Sequence, residues 1–552
     1  MTNAEQLCKR YEKRKADRQS KWDTLWQSIA DYIVPRKSGI TSKKTPNAED
    51  WINNIYSDVA SNANIVMAAG MVTNSTPITN RWMSYEVSDV VKTRNAGAPN
   101  AVRWYAEATD TVMREMARSN FYTQIHEAHL ERNPFGTCCI FCDEGKRSLL
   151  NFRTISVGTY CIEEDYEGFV DRVWVECQMT ARQIVQQFGI ENCGEKVKDA
   201  YKDENKQDNQ FTVVHYVFPR EERDPKKMDK ENKPIGSIYL CLEDKKTLRE
   251  SGYDEMPYAV GRYLRWPGEV YGWGPGLQVL PIVRQLNFIE KQLDVLAEKA
   301  AEPPKLIPSN LSGQVDTRAG GITIFDENLP QAMPREWMTQ GRYDLAQFRV
   351  EAKEKAIRDA FHNDLFQMFS QIDSSSRMTQ LEVMQRSAEK LDQFSPAFTS
   401  FQSEVLEPLM RRVFGILFNA GAFGEPPADA LIDGKLVLPK FSYNSKLSLA
   451  LKSLDNRALI DSVNILLPMA QINPTVFDRL NLDESTKMIL ENSGVPPRCM
   501  NTDDEVAGIQ QERAQQQQAM MQAQMLEQGS KAAANLGKMP PEMREQAAEQ
   551  LA

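Results

Sequence analysis

The chain has 552 residues, 41% of them apolar and 26% charged, with a formal net charge of −10. That length exceeds the roughly 250–300 residues at which one hydrophobic core stops growing, so several packed regions are expected. The acidic balance argues weakly against a protein that grips nucleic acid through many phosphate contacts, and not at all against one that lets a duplex slide past.

No apolar run approaches the roughly 20 residues needed to cross a bilayer, so no membrane insertion is expected. The first ten residues lack the apolar stretch of a secretory signal. Nine cysteines in so long a chain read as free thiols made in a reducing cytoplasm.

Residues 3–34 read as a helical opening, basic over Lys9–Lys21 and then amphipathic through Trp22, Leu25, Trp26, Ile29 and Ile33, with Pro35 and Gly39 ending it. The basic run fits a solvated helix face better than a nucleic-acid contact. Asn53–Val72 and Ala98–Arg132 are further helical stretches. From Thr137 to Leu264 the pattern becomes strand-like, as in Phe169–Cys177 and Phe211–Phe218, interrupted by a polar stretch at Lys196–Gln210 and a charged loop at Pro219–Lys233. Cys138, Cys139 and Cys142 fall inside one such run, where a free thiol serves as a small hydrophobe. The first half is thus an α+β body, in a chain that is predominantly helical.

After Gly272-Trp-Gly-Pro-Gly the period changes. Leu277, Leu280, Val283, Leu286, Ile289, Leu293 and Leu296 repeat at three and four residues, which predicts one long helix over 276–301, with Pro275 near its first position and Pro281 as a candidate kink. Pro303-Pro304 ends it. A turn-rich insert follows, and then a second long helix over 341–369 with Leu345, Phe348, Ala352, Ile357, Phe361, Leu365 and Met368 inward. The polar loop Gln371–Met378 leads into a helical run over 379–420, in which Pro396 and Pro408 predict a bent helix or consecutive helices. Residues 443–500 read as a small helical bundle. The end, Asn501–Ala552, holds 11 Gln and 5 Met and reads as an extended helix or tail, with Gly529 and Pro540-Pro541 as breaks.

Catalytic signatures are missing. There is no Gly-x-x-x-x-Gly-Lys phosphate loop, and Leu277 stands where a dinucleotide fingerprint needs a third glycine. His126-Glu-Ala-His129 is one residue short of a zinc-protease spacing, and the chain has four histidines in all. Neither an enzymatic activity, a cofactor nor a metal is expected.

The order of body, long helix, insert, long helix, polar loop, bent helix, bundle and tail resembles the portal architecture of wing, stem, clip, stem, channel loop, wing helix, crown and barrel. Four segments resemble the head-to-tail connecting proteins of short-tailed, podovirus-type bacteriophages: Asn133-Pro-Phe-Gly-Thr, Tyr271-Gly-Trp-Gly-Pro-Gly-Leu-Gln-Val-Leu-Pro, Met378-Thr-Gln-Leu-Glu-Val-Met-Gln-Arg, and Ser493-Gly-Val-Pro-Pro-Arg with Asp504-Glu-Val. The segment from Tyr443 to Leu449 departs from the family at the crown entry.

The resemblance implies the portal fold, with a wing over 1–273, stem helices over 274–302 and 341–370, and a clip over 303–340. It also implies a channel loop over 371–378, a bent wing helix over 379–421, a helical crown over 422–500 and a barrel or tail over 501–552. It implies a homo-oligomeric ring of about twelve copies at a capsid vertex of the virion. The partners it implies are the major capsid and scaffold proteins, the terminase motor, a tail adaptor, and double-stranded DNA bound without sequence preference.

Twelve helices packed at ~10 Å enclose a lumen of about 28 Å, enough for a duplex. On that basis Lys291, Lys299, Lys353, Lys355, Asp373, Ser374, Ser375, Ser376 and Arg377 are candidates to line the channel. Lys305, Arg318, Asp326 and Glu327 are candidates for motor and tail docking on the clip. A non-portal helical scaffold protein of the virion is the alternative, and a phage hydrolase a more distant one.

Overall fold

The computed structural model describes residues 4–41, 55–301, 305–306, 335–336, 343–371, 393–444, 462–463, 466–468, 481–492 and 503–537, apart from 36, 38, 96, 97, 146, 225, 226, 228 and 433. The chain divides into two compact units, Met1–Asp455 and Asn456–Ala552.

The opening helix is α1 (Ala4–Arg18) and α2 (Thr24–Tyr32), joined by a π turn at Gln19–Asp23. Next come α3 (Val59–Ser75), β1 (Met83–Glu86), α4 (Asp89–Arg94), α5 (Pro99–Arg118) and α6 (Phe121–Phe135). Ser119 separates the last two helices. Its backbone turns extended, its hydroxyl donates to Met116 O at 2.8 Å, and the same hydroxyl accepts from Phe121 N–H at 3.2 Å.

The strand-like region holds β2 (Thr137–Glu144), β3 (Leu150–Ile155), β4 (Tyr160–Glu164), β5 (Val170–Thr180), two short helices α7 (Ala181–Phe188) and α8 (Glu195–Lys202), β6 (Gln210–Pro219), β7 (Ile235–Cys241), β8 (Lys246–Tyr253) and β9 (Tyr258–Arg262). They form two antiparallel sheets, ordered β3-β2-β9 and β4-β5-β6-β7-β8. Central β2 carries the three clustered cysteines, all buried, and burial pushes the Cys138 and Cys142 thiols up to about 12. The polar stretch at 196–210 is helical in its first part. It closes a small core in which Ile184, Phe188 and Val197 pack on Phe211, Val213 and Leu248.

The long periodic run is α9 (Pro275–Ala301), and Pro281 lies inside it. Short strands β10 (Lys305–Leu306) and β11 (Arg335–Glu336) pair antiparallel. The expected single helix over 341–369 is α10 (Tyr343–Ala360) and α11 (Asn363–Gln371), interrupted at His362, whose φ of 51° is left-handed and cannot continue a helix. Ile357, Phe361 and Leu365 are fully buried as expected, whereas Phe348 and Ala352 face outward.

Helical residues 393–401 lead through a π turn, Gln402–Leu406, into α12 (Glu407–Asn419). Pro408 sits just beyond that turn, near the start of α12. The proline ring crowds the carbonyl four residues back, and the Glu407 N–H reaches Gln402 O instead. Pro396 stays within the helical residues.

The region expected to begin a helical crown at 422 starts with strands: β12 (Leu431–Ile432), β13 (Lys435–Leu436) and β14 (Lys440–Tyr443). β14 pairs with β1, Met83 opposite Tyr443 and Glu86 opposite Lys440. Further on lie α13 (Leu482–Asn492) and α14 (Asp503–Gly537), and the latter runs through Gly529 without a break.

Two cores dominate the first unit. One gathers Trp26, Ile29, Met67, Met71, Phe135 and Tyr271 around Leu277–Leu286 of α9 and Ile357–Leu365. The other joins Trp82, Tyr85 and Trp104 to Phe401, Val405 and Phe414.

Candidate DNA-channel site

Helix α9 leaves the body at a crossing of two glycine-containing segments. Gly136 caps α6 with φ +81°, and its N–H donates to Arg132 O at 2.8 Å. Gly272, Gly274 and Gly276 run directly against it. A Cβ on Gly136 would strike Gly272 O, one on Gly272 would strike Gly136 O, one on Gly274 would strike Asn133 O, and one on Gly276 would lie 2.5 Å from Pro134 Cα. Bonds from Tyr263 N–H to Gly136 O and from Gly272 N–H to Thr137 Oγ1, both 2.8 Å, close the contact. Only glycine lets two backbones meet this closely.

Beside the crossing lies a buried charge network. Arg262, 1% exposed, donates from its backbone N–H to Glu404 Oε2 at 2.8 Å and from Nη2 to Glu404 Oε1 at 2.7 Å. It also bonds Glu164, and its Nη2 reaches Gly168 O at 3.0 Å. Arg132, fully buried, donates Nη2 to Arg262 O at 2.9 Å and to Ala397 O at 2.7 Å, its guanidinium lying over Tyr263 and Phe401. The network therefore ties α6, β9 and the helical segment 393–406 to the root of α9. His129, from the short histidine pair, is buried against Phe401 at 4.5 Å between ring centroids, and burial holds its imidazole far below its ordinary pKa, hence neutral.

From this root α9 packs on α10. Pairing of β10 with β11 brings the far ends of the two helices together, so they run antiparallel. Lys353 Nζ donates to Gln285 Oε1 at 2.6 Å, which spends this lysine in the seam between them. Lys291 lies over the Tyr56 ring at 5.4 Å, while Lys299 and Lys355 are exposed. None of the four forms an ion pair among the described residues. Glu354, between Lys353 and Lys355 in the chain, pairs with Arg358 at 2.9 Å.

The sequence profile of a family described as "Bacteriophage head to tail connecting protein" matches residues 4–500. The chain belongs to that family. It is also 29% identical over 542 residues, 97% of this chain and 96% of the other, to the "Probable portal protein" of Bordetella phage BPP-1. It is 28% identical over 540 residues, 96% and 95% of the two chains, to the "Portal protein" of Salmonella phage epsilon15. The expected family is thus borne out. Two of the four segments that resemble it, those containing Asn133–Gly136 and Gly272–Gly276, form the crossing.

Asp373, Ser374, Ser375, Ser376 and Arg377 lie outside the described residues, as do Arg318, Asp326 and Glu327. Lys305 lies in β10, in register with Glu336. Among the described residues no group of three His, Cys, Asp or Glu is placed to hold a metal, and no helix is long and apolar enough to cross a membrane.

The basic run of the first helix is divided: Lys9, Lys13 and Lys21 are exposed, as expected of a solvated face, while other cations of the run hold the helix to the body. Arg10 pairs with Glu163 at 2.6 Å, Lys15 pairs with Glu176 at 2.5 Å and Arg18 donates Nη1 to Tyr160 O at 2.7 Å, clamping α1 onto the five-stranded sheet, where Tyr11 packs on Trp174. Burial pushes the Glu163 and Glu176 carboxyls up, but bonds from Arg10 and Trp174, and from Lys15 and Tyr11, hold both below their ordinary value.

Both acids therefore release protons more readily when folded. Their contribution is complete above the unfolded value of about 4.3 and is lost as pH falls through their lower folded values. Between pH 6 and pH 3 the thermal midpoint of the E163Q/E176Q variant is expected to fall less than that of the wild type. Equal falls would mean that these pairs do not hold the helix.

Proposed function

We propose that the chain is the portal subunit of a short-tailed bacteriophage. In this reading about twelve copies close into a ring at one capsid vertex, and double-stranded DNA passes through its centre on packaging and ejection. The observation that carries the reading is the antiparallel α9–α10 pair, rooted in the body by the glycine crossing, in a chain similar over nearly its whole length to proteins named as portals.

The proposed division keeps a wing over 1–273, a stem of α9 and α10, a clip between them over 303–340 and a channel loop over 371–378. A wing helix, a crown and a C-terminal barrel or tail follow. The ring's partners are the capsid and scaffold proteins, a separate terminase motor and a tail adaptor. Its place is the head vertex of the virion.

Lys291, Lys299 and Lys355 are the better channel candidates, since Lys353 is engaged with Gln285. Each repeats around a ring, so even one would draw phosphates in a salt-dependent manner. The loop containing Asp373–Ser376 is proposed to touch the duplex: small serines suit crowding among symmetry mates, and Asp373 tempers Arg377 so that DNA slides. Deleting 373–376 is expected to leave rings intact while lowering packaging or retention of DNA. Wild-type behaviour in every DNA step makes the loop a plain connection.

Negative-stain imaging of the purified chain is expected to show rings with a central hole. Filaments, or compact particles without a channel, overturn the portal reading. A chain ending at Val506 is expected to form the same rings, because the apolar residues beyond it are too scattered to anchor an interface. Loss of rings in that truncation shows that the tail takes part in assembly.

A further inference from the structure

We propose that the turn Leu264–Glu269 and the β4–β5 turn beside it form a docking surface for a cationic, partly apolar segment of another protein. The proposal stands apart from the ring reading, because a single copy of the chain carries the whole surface.

The residues Leu264–Glu269 are all exposed, although a leucine, a tryptophan and a proline stand among them. Trp266 is 60% exposed and Leu264 42%. In the β4–β5 turn Tyr166 is 94% exposed and Phe169 53%. The two turns touch. Arg262 Nη2 donates to Gly168 O at 3.0 Å, Arg265 Nη2 lies 3.7 Å from Glu164 Oε1, and a Cβ on Gly168 would strike the Arg265 guanidinium. Single exposed apolar residues are ordinary on a protein surface, but four large ones on two touching turns mark a place where something binds.

Both turns are held in shape by their own hydrogen bonds. Asp165 N–H donates to Phe169 O at 2.8 Å, and Asp165 Oδ1 accepts from Glu167 N–H at 2.9 Å and Phe169 N–H at 2.8 Å. Across the other turn Glu269 N–H reaches Trp266 O at 3.1 Å, and Trp273 N–H reaches Leu264 O at 2.8 Å. The rings are therefore presented on a fixed backbone, and a partner orders little of it on binding.

Charge selects the partner. Over 164–169 and 264–269 the acids are Glu164, Asp165, Glu167 and Glu269, and the only cation is Arg265, which already faces Glu164. Asp165, Glu167 and Glu269 have no ion-pair partner among the described residues. Such a surface repels the phosphates of a duplex and the headgroups of an anionic membrane. A lysine or arginine is drawn to it twice, by the carboxylates and by the exposed faces of the Trp, Tyr and Phe rings. Apolar side chains of the same segment then cover Leu264 and the remaining ring surface, with Trp266 and Tyr166 the residue types that most often anchor a protein interface.

The test uses the full chain and a labelled synthetic peptide of alternating arginine and leucine, read by fluorescence anisotropy. Saturable binding is expected, weakened about tenfold or more in the Y166S/W266S variant. Loss of two carboxylates in E167Q/E269Q should weaken it by about threefold. Glu195→Gln on α8, which removes a charge outside the surface, should leave it unchanged. The same peptide with glutamate in place of arginine should not bind.

No binding by the wild type, equal binding by Y166S/W266S, or equal binding of the glutamate peptide overturns the proposal. Rings of the wild type that are lost in Y166S/W266S assign the surface to a second copy and overturn it too. So does binding of duplex DNA or of anionic vesicles that falls in that variant. If the double variant melts lower than the wild type, Tyr166→Ser alone is read in the same assay, since that side chain is almost wholly exposed, and unchanged affinity overturns the proposal.

Discussion

Gly136→Ala is expected to destabilise the body by about 3–5 kcal/mol, from left-handed strain of about 1–2 kcal/mol plus the forced separation of two packed backbones. Gly136 has φ +81°, and its missing Cβ would collide with the Gly272 carbonyl. Gly421 supplies the control. It too ends a helix with a positive φ, +72°, but a Cβ there meets nothing within 4 Å. Gly421→Ala should therefore cost only the strain. Thermal midpoints of both variants separate the two contributions, and equal shifts would mean that the crossing is loose enough to absorb a methyl group. Because α9 starts at this crossing, Gly136→Ala should also impair ring assembly where Gly421→Ala does not.

Arg262→Met is expected to cost a comparable amount, about 3–5 kcal/mol, because it strands the buried carboxylate of Glu404 together with the partly buried Glu164. Removing both partners costs less than removing the arginine alone. In Arg262→Met with Glu404→Leu, the acid that suffers most is gone and an apolar side chain takes its volume. A double-mutant cycle by denaturant unfolding should return a coupling of about 2 kcal/mol or more. Additive costs would show that Arg262 and Glu404 act separately.

The long-range design of the chain was legible where periodicity and punctuation agree. The apolar repeat from Leu277 to Leu296, opened by Pro275 and closed by Pro303-Pro304, marks α9 almost to the residue. The interruption at His362 was not legible. The repeat stays helical on both sides, and a single left-handed residue leaves no trace in it. Phe348 illustrates another limit, since a period tells which residues share a stripe and not what covers the stripe.

Helices α7 and α8, eight residues each, were missed within strand-like sequence. A signal existed for α7: Thr180 and Gln183 form a reciprocal cap at its start. The charge network had no such signal. Arg262 lies 130 residues from Arg132 and 142 from Glu404, and a lone charge at the end of an apolar strand reads as surface. The glycines of Gly272–Gly276 were read as a helix entry, which they are. That they press on Gly136 needed the tertiary fold.

The pairing of β1 with β14 bears on how the subunit is born. Met83–Glu86 find their partner strand only at Lys440–Tyr443, and Asn444 N–H then closes onto Trp82 O at 2.7 Å. At 5–20 residues per second, a ribosome needs roughly 20–70 s to travel from one strand to the other. Throughout that interval the earlier strand has an open edge and the second large core lacks Phe401, Val405 and Phe414. The body is therefore finished late in synthesis, after both long helices have emerged. A nascent chain that carries those helices but has not reached residue 440 cannot present a completed body to its neighbours, so full-length subunits are favoured when copies begin to associate.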